Sequence, residues 1–297
     1  MKRFFLKIFI MLAPLLPLYL VDYVYSQAAM RSHQPYVESW YDLMHGLIDA
    51  DVVAMGNSHT YNQIDPAILD SILCANTYNL GISGRNLDGQ IHKYNLYRKY
   101  NKKPRLIIQN IDLWLFVTRT DLDKYQFFPY FWNRNMRKEF FQSETFSFGE
   151  KYLPMYRYFG YWEYFSRYPQ RLYKGFVNSN SPWNGTIKSE SITFFYDENK
   201  ARLFDEYLAD ITSEGIKIVL FYPPTYYTYK NKVSNIDEMY KTFQFYADKY
   251  DIPILDYISM PICNDSSYFQ NVHHLNRLGT KVFSDSLAND IKKLGIL

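Results

Sequence analysis

Residues 51–60 read DVVAMGNSHT, a short apolar run that stops on Gly56 and turns at once into Asn57-Ser58-His59-Thr60. An apolar run without polar alternation suits a strand covered on both faces, and the glycine marks a tight corner after it. The same unit recurs down the chain. Residues 76–80 (NTYNL) end at Gly81, 105–111 (RLIIQNI) follow Pro104, 217–222 (KIVLFY) stop at Pro223-Pro224, and 252–255 (IPIL) close the series. Amphipathic stretches at 66–73, 87–100, 198–214 and 237–250 lie between them, with a final helix at 280–294. Strand and helix in alternation predict an α/β fold: a three-layer α/β/α sandwich around a central, mainly parallel five-stranded sheet. In such sheets ligands sit at the carboxyl ends of the strands. Gly56-Asn57-Ser58 stands at one such end.

Composition narrows the field. The 297 residues carry 33 Lys+Arg against 30 Asp+Glu, with no long basic run, so binding of nucleic acid through a charged patch is not indicated. Two cysteines cannot build a disulfide framework or a cysteine-rich zinc site, although export would permit Cys74 and Cys263 to pair. His33, His45 and His92 form no metal-ligand spacing with Asp, Glu or Cys, so neither metal nor cofactor is expected. Hydrophobic content of 47% excludes wholesale disorder. Aromatic content is 19%, with 30 Tyr and 22 Phe, a density that serves packing first and stacking on flat ligands such as sugar rings second.

Two segments stand apart from the alternation. Lys2, Arg3 and Lys7 accompany an apolar run at 8–21 (IFIMLAPLLPLYLV). That order predicts a signal anchor or signal peptide over 1–28, with the domain of 29–297 extracytoplasmic: a single-pass membrane protein, or a secreted or periplasmic one if Ser26-Gln27-Ala28 is a cleavage site. Residues 117–190 have no strand pattern and are crowded with aromatics, with Arg134, Arg137, Arg157, Arg167 and Arg171 among them. This segment reads as an aromatic helical insertion, either a subcore capping the sheet or a lid shaping a groove for a glycan or lipid-linked substrate.

A serine on a tight strand-to-helix turn exposes its oxygen to a base and to substrate. By itself Ser58 is equally an ordinary helix N-cap. The far end of the chain supplies the missing chemistry: His273-His274-Leu275-Asn276-Arg277-Leu278-Gly279 lies after the last strand, and a nucleophilic serine needs an imidazole to take its proton. Tyr222-Pro223-Pro224-Thr225-Tyr226 follows the fourth strand and is expected to reach the same rim, with His59, Tyr222 and Tyr226 beside the substrate or in simple loop packing. Ile64-Asp65-Pro66 reads as a structural helix start, with Asp65 as N-cap.

These motifs resemble the SGNH/GDSL hydrolase superfamily, whose fold is flavodoxin-like. Gly56-Asn57-Ser58-His59 is similar to its first block, normally Gly-Asp-Ser, and His274-Leu275-Asn276-x-x-Gly279 to its last. Gly56-x-Ser58-His59-Thr60, with Asn79-Leu80-Gly81-Ile82-Ser83-Gly84, looks most like the membrane-anchored branch that includes D-alanyl-lipoteichoic acid transfer and exopolysaccharide acetylation proteins. The resemblance implies Ser58 as nucleophile and His274 as general base. It implies an oxyanion hole from the N–H of Ser58, that of Gly81 or Gly84, and the side chain of Asn110, although Gln109 or Asp112 could equally face the site. Donors of this kind are worth roughly 3–4 kcal/mol each in acyl transfer.

Two carboxylates of the superfamily pattern are amides here, Asn57 and Asn271. Three outcomes stay open: a Ser–His dyad with Asn271 orienting the ring, another carboxylate such as Asp265 folding in, or a dead site. The expected function is a serine-dependent acyl-ester enzyme, O-acyltransferase or esterase, acting on a cell-envelope glycan through an acyl-serine intermediate. A membrane acyl-donor protein is a candidate partner. The alternatives are a non-catalytic membrane-tethered glycan-binding or assembly protein on the same fold, and a lipid esterase whose aromatic insertion forms an acyl tunnel.

Overall fold

The computed structural model describes residues 4, 13, 15–117, 123–141, 146–177, 180–185 and 191–297. They divide into two compact units, one from Leu43–Arg119 with Leu172–Leu297, the other from Met1–Asp42 with Thr120–Arg171.

The larger unit holds a five-stranded sheet: β1 (Val52–Met55), β2 (Thr77–Asn79), β3 (Leu106–Asn110), β4 (Lys217–Tyr222) and β5 (Ile254–Asp256). Every pairing is parallel and the order is β2-β1-β3-β4-β5. This is the flavodoxin-like doubly wound order. All four residues of β1 and all five of β3 are buried, the mark of strands covered on both faces. On one face Val52, Ala54, Leu106, Ile108, Val219 and Phe221 pack with Leu69, Phe283, Leu287 and Ile291. Those partners come from the helices Pro66–Leu73 and Arg277–Leu294. The other face meets the helices Leu87–Tyr100, Glu198–Ser213 and Ile236–Tyr250: Tyr207 Oη donates to Gln109 Oε1 at 3.0 Å, and Tyr222 packs edge-on to Phe243.

Local chemistry sets the corners. Asp65 caps the helix that begins at Pro66 by accepting from Ala67 N at 2.9 Å. Asn276 caps the last helix by accepting from Leu278 N and Gly279 N at 3.0 and 3.1 Å. A side chain at Gly279 would stand 2.2 Å from the Tyr268 carbonyl oxygen, so the loop and helix close only on glycine. Cys74 and Cys263 are free thiols, the first exposed and the second buried, so the pairing that export would permit is not formed.

The smaller unit contains the helix Leu15–Met30, the helix Pro35–Met44 as far as Asp42, and a string of short helical pieces. In the described part of 117–190 the helical pieces are short: Lys124–Tyr130, Arg134–Met136 continuing into Arg137–Phe141, Phe148–Tyr152, Tyr156–Tyr158 and Trp162–Phe165. Residues 118–122, 142–145, 178–179 and 186–190 of that segment lie outside the described residues. Rings rather than helix length hold the unit together. Phe127 stacks on Phe140 at 4.2 Å, and Phe141 on Phe146 at 4.3 Å. At the centre Asp22 pairs with Arg157, both fully buried, and accepts from Trp132 Nε1 at 2.9 Å and Met155 N at 2.8 Å. The guanidinium lies 4.2 Å over the Phe131 ring.

No helix among the described residues is long and apolar enough to cross a membrane. Much of the apolar run at 8–21 lies outside the described residues, and the part that is described, from Leu15, belongs to the helix carrying buried Asp22.

Candidate active site

In the order β2-β1-β3 the chain winds away from β1 in both directions, and a crevice opens where the carboxyl ends of β1 and β3 diverge. Gly56-Asn57-Ser58 leaves β1 there, and Ile111-Asp112 leaves β3. A side chain at Gly56 would lie 2.1 Å from Thr60 Oγ1 and 2.5 Å from Asn110 Cβ, so this corner accepts only glycine. The helix Ser58–Gln63 begins immediately, with Asn57 Oδ1 accepting from His59 N at 2.9 Å.

The end of the chain is brought to this corner by hydrogen bonds. Gln63 Nε2 donates to the His273 carbonyl at 2.9 Å, Thr280 Oγ1 to Asn62 O at 3.2 Å, and Ser284 Oγ to Gln63 O at 3.2 Å. Phe269 and Leu275 form an antiparallel bridge that closes the histidine loop. As a result His274 Nε2 sits 2.9 Å from Ser58 Oγ, 216 residues away in sequence. That separation lies within general-base range. A cavity of about 200 Å³ opens over the pair, walled by Asn57, His59, Gly84 and Trp114, with Arg85, Asn86 and His273 completing it. The imidazole is pushed down to about 3, by burial first and then by the neighbouring His59 and His273 rings, with Asp112 pulling the other way. His274 is therefore neutral in the resting site and free to accept a proton. Each unit of that depression is about 1.4 kcal/mol against the imidazolium, so a cation formed there needs compensation.

The other expected residues fall into place unevenly. Gly84 lines the cavity. Among the described residues its N–H and that of Ser58 make no hydrogen bond. Gly81 is corrected: its N–H donates to Asn79 Oδ1 at 2.9 Å and is not available to an oxyanion. Asn110 is corrected as well. It is fully buried beneath the corner. With its amide oriented to satisfy both ends, Nδ2 donates to Asn57 Oδ1 at 3.0 Å and Asp112 Oδ2 at 3.2 Å. Tyr222 and Tyr226 do not line this cavity. Tyr222 is buried in ring packing with Tyr240 and Phe243, and Tyr226 lies among Trp183, Tyr227 and Phe269. His59 reaches the rim, but its ring is only 3% exposed.

Asn271 does not orient the imidazole. Its Oδ1 accepts from the backbone N–H groups of His273 and His274 at 2.9 and 3.0 Å, which fixes the loop and uses up the oxygen. Asp265 is exposed and makes no bond to the ring among the described residues; it accepts from Ser267 N at 2.9 Å as a cap, and the Ser267 donors hold its carboxyl low. Among the described residues nothing accepts from His274 Nδ1.

The site carboxylate is Asp112. Its Oδ2 accepts from Asn57 Nδ2 at 2.7 Å and pairs with His59 Nδ1 at 2.9 Å, and Oδ1 accepts from Trp114 N at 2.8 Å. Burial pushes this carboxyl up, but the hydrogen bonds and charge of His59, with those of Asn57 and the Trp114 N–H, outweigh it and hold the group below the usual carboxylate range. Asn57 follows from this. An aspartate there would face Asp112 at hydrogen-bond distance, whereas the amide donates to it. Sequence reasoning placed Asp112 only as an alternative to Asn110 and missed its bond to His59. The signal available was the acidic residue two positions past β3.

Behind the corner, Lys93 is fully buried and its Nζ approaches the Gly81 carbonyl at 3.4 Å. Burial pushes this amine down to about 7.

No family model and no curated protein matches the chain. Solved structures do. One, described as a lipolytic protein of the G-D-S-L family from Desulfitobacterium hafniense DCB-2, is 13% identical over 80% of this chain and 97% of its own, at a TM-score of 0.43. A second, described as an acylhydrolase from Bacteroides fragilis NCTC 9343, is 13% identical over 82% of this chain and 86% of its own, at 0.40. The acetyl xylan esterase AlAXEase is 11% identical over 81% and 98%, at 0.45. The doubly wound α/β architecture is the one that the five parallel strands of this chain display directly.

Proposed function

We propose that the chain is a serine-dependent acyl-ester enzyme of the SGNH type, in which Ser58 attacks an ester carbonyl and His274 takes and returns the proton. The observation that carries this reading is the 2.9 Å contact between Ser58 Oγ and His274 Nε2 at the mouth of a cavity. The N–H groups of Ser58 and Gly84 are the donors that would meet the oxyanion. Acylation forms the Oγ–acyl bond and releases the alcohol with the proton from His274. Deacylation repeats the cycle with water in an esterase or a sugar hydroxyl in a transferase.

The basic and then apolar start, Lys2, Arg3 and Lys7 with residues 8–21, supports an extracytoplasmic site of action, and the aromatic content supports a cell-envelope glycan as acceptor or ester carrier. The competing reading, a glycan-binding or assembly protein without catalysis, rests on the amides at 57 and 271. The structure weakens that basis, because Asn57 and Asn271 both have positive structural tasks here.

The test is hydrolysis of p-nitrophenyl acetate by wild type, Ser58→Ala and His274→Ala, with and without an added oligosaccharide. Turnover should fall about 10³-fold or more in both variants, with folding retained. Product partitioning into an acetylated oligosaccharide would assign transfer. Equal turnover in wild type and Ser58→Ala would remove the proposal.

A further inference from the structure

We propose that His59 and Asp112 form the orienting arm of His274, so that the working unit is Ser58–His274–His59–Asp112. This rests on the catalytic reading of Ser58 and His274 above. Two neighbouring rings each have one nitrogen unaccounted for, with complementary needs. His274 uses Nε2 to accept from Ser58 Oγ–H, so its neutral ring carries the proton on Nδ1, and among the described residues nothing accepts from it. His59 faces Asp112 through Nδ1, so in its neutral form the ring carries the proton there and presents a lone pair on Nε2. That Nε2 is buried and has no hydrogen-bond partner among the described residues. A buried polar atom left without a partner is costly, and such atoms in native folds ask for an explanation.

The two rings are 5.5 Å apart between centroids, inclined at 44°, and both wall the cavity over Ser58. This spacing admits an N–H···N bond after a small ring rotation, or one bridging water. Among the described residues neither of the other candidates bonds to the ring: Asn271 Oδ1 accepts from two backbone N–H groups, and Asp265, exposed, caps Ser267. Among the described residues Asp112 is the one carboxylate joined to a ring of this site, and four donors from Asn57, His59, Asn110 and Trp114 fix it.

The proton and electron accounting is closed. As Ser58 Oγ bonds to the acyl carbon, its proton moves to His274 Nε2 and the carbonyl electron pair moves to oxygen. The new imidazolium donates Nδ1–H to His59 Nε2, and His59 keeps Nδ1–H on Asp112 Oδ2. No further proton changes owner. On collapse the Nε2 proton passes to the leaving alcohol oxygen. His59 is thus a positioning residue, which fixes the His274 tautomer and sets the charge of Asp112 one ring away from the cation.

The experiment pairs p-nitrophenyl acetate kinetics with nitrogen NMR of the histidine rings, before and after reaction with a fluorophosphonate. His59→Phe and Asp112→Asn should each lower kcat by about 10-fold to 100-fold with KM unchanged, and Asp112→Glu should recover part of the loss. In the wild-type phosphonyl adduct, His274 Nδ1–H should give a far-downfield proton resonance that disappears in His59→Phe. Should either variant fail to fold, the resting wild type still decides: His59 must be protonated on Nδ1 and bare on Nε2. Wild-type kcat in both variants, a His274 signal indifferent to His59, or a proton on His59 Nε2 in the resting protein would overturn the relay. Retention of activity in Ser58→Ala would instead strike the catalytic reading, while the ring spectra would still report whether the two histidines meet.

Discussion

Two buried aspartates, Asp22 in the aromatic unit and Asp112 in the sheet unit, show what separates a structural site from a chemical one. Asp22 meets a full cation, Arg157, and both side chains are sealed from solvent; Trp132 Nε1 and Met155 N take up the remaining acceptor capacity. Trp132 and Phe131 of that cluster wall a cavity with Arg134, Arg137, Lys138 and Lys151, but Asp22 and Arg157 do not line it. Asp112 meets neutral amides, a backbone N–H and an imidazole, and that imidazole keeps one nitrogen without a partner beside the cavity of Ser58. A guanidinium stays charged at any working pH and so completes the first pair permanently. A histidine leaves the second pair able to respond to a proton arriving next door.

The comparison can be broken most forcefully in the aromatic unit. Arg157→Met strands a buried carboxylate and should cost about 3–5 kcal/mol of stability, measured by denaturant unfolding. Adding Asp22→Leu should restore most of it, because the uncompensated charge is then gone. A single variant as stable as wild type would mean that the pair is not the keystone of that cluster.

Lys93 sharpens the contrast from the sheet side. Its amine is held at about 7 in the folded chain, below its usual 10.5, so the unfolded state binds the extra proton between those values. Stability should therefore rise with pH across that window, with the full penalty present below pH 7. Lys93→Met should stabilise the protein by on the order of a few kcal/mol at pH 6 and by progressively less toward pH 9. A difference between the two proteins that is constant across this range would contradict the burial of that amine.

The smallest effect is expected at Tyr222, whose hydroxyl is buried without a partner among the described residues and which stands away from the Ser58 cavity. Tyr222→Phe should change stability by less than about 1 kcal/mol, in the stabilising direction, and leave ester hydrolysis unchanged. A large loss of activity would return Tyr222 to the substrate rim that the sequence suggested.

The strands were legible because each is a run whose apolar pattern has only one stable use. The run at 217–222 is observed to the residue, and the others differ by one or two positions at the ends, where pairing rather than composition sets the limit. The Ser58–His274 encounter was legible because each residue sits in a motif with a fixed place at the sheet's carboxyl edge. The oxyanion and orienting assignments were harder to read. Gly81, Asn110 and Asn271 are chosen by which hydrogen bonds their neighbours offer, and Asn79, Asp112 and the histidine loop's own backbone took them first. The aromatic segment resisted for another reason: ring stacking has no sequence period, so short helical pieces joined by stacked rings look like an unpatterned stretch.

The central claim is that a serine after the first strand and a histidine before the last helix act on one substrate. Peptide mapping by mass spectrometry after reaction with a fluorophosphonate tests it most directly. The account predicts a single adduct on the peptide containing Ser58, lost in His274→Ala as well as in Ser58→Ala. An adduct on another residue, or labelling of Ser58 that proceeds at the same rate without His274, would contradict it.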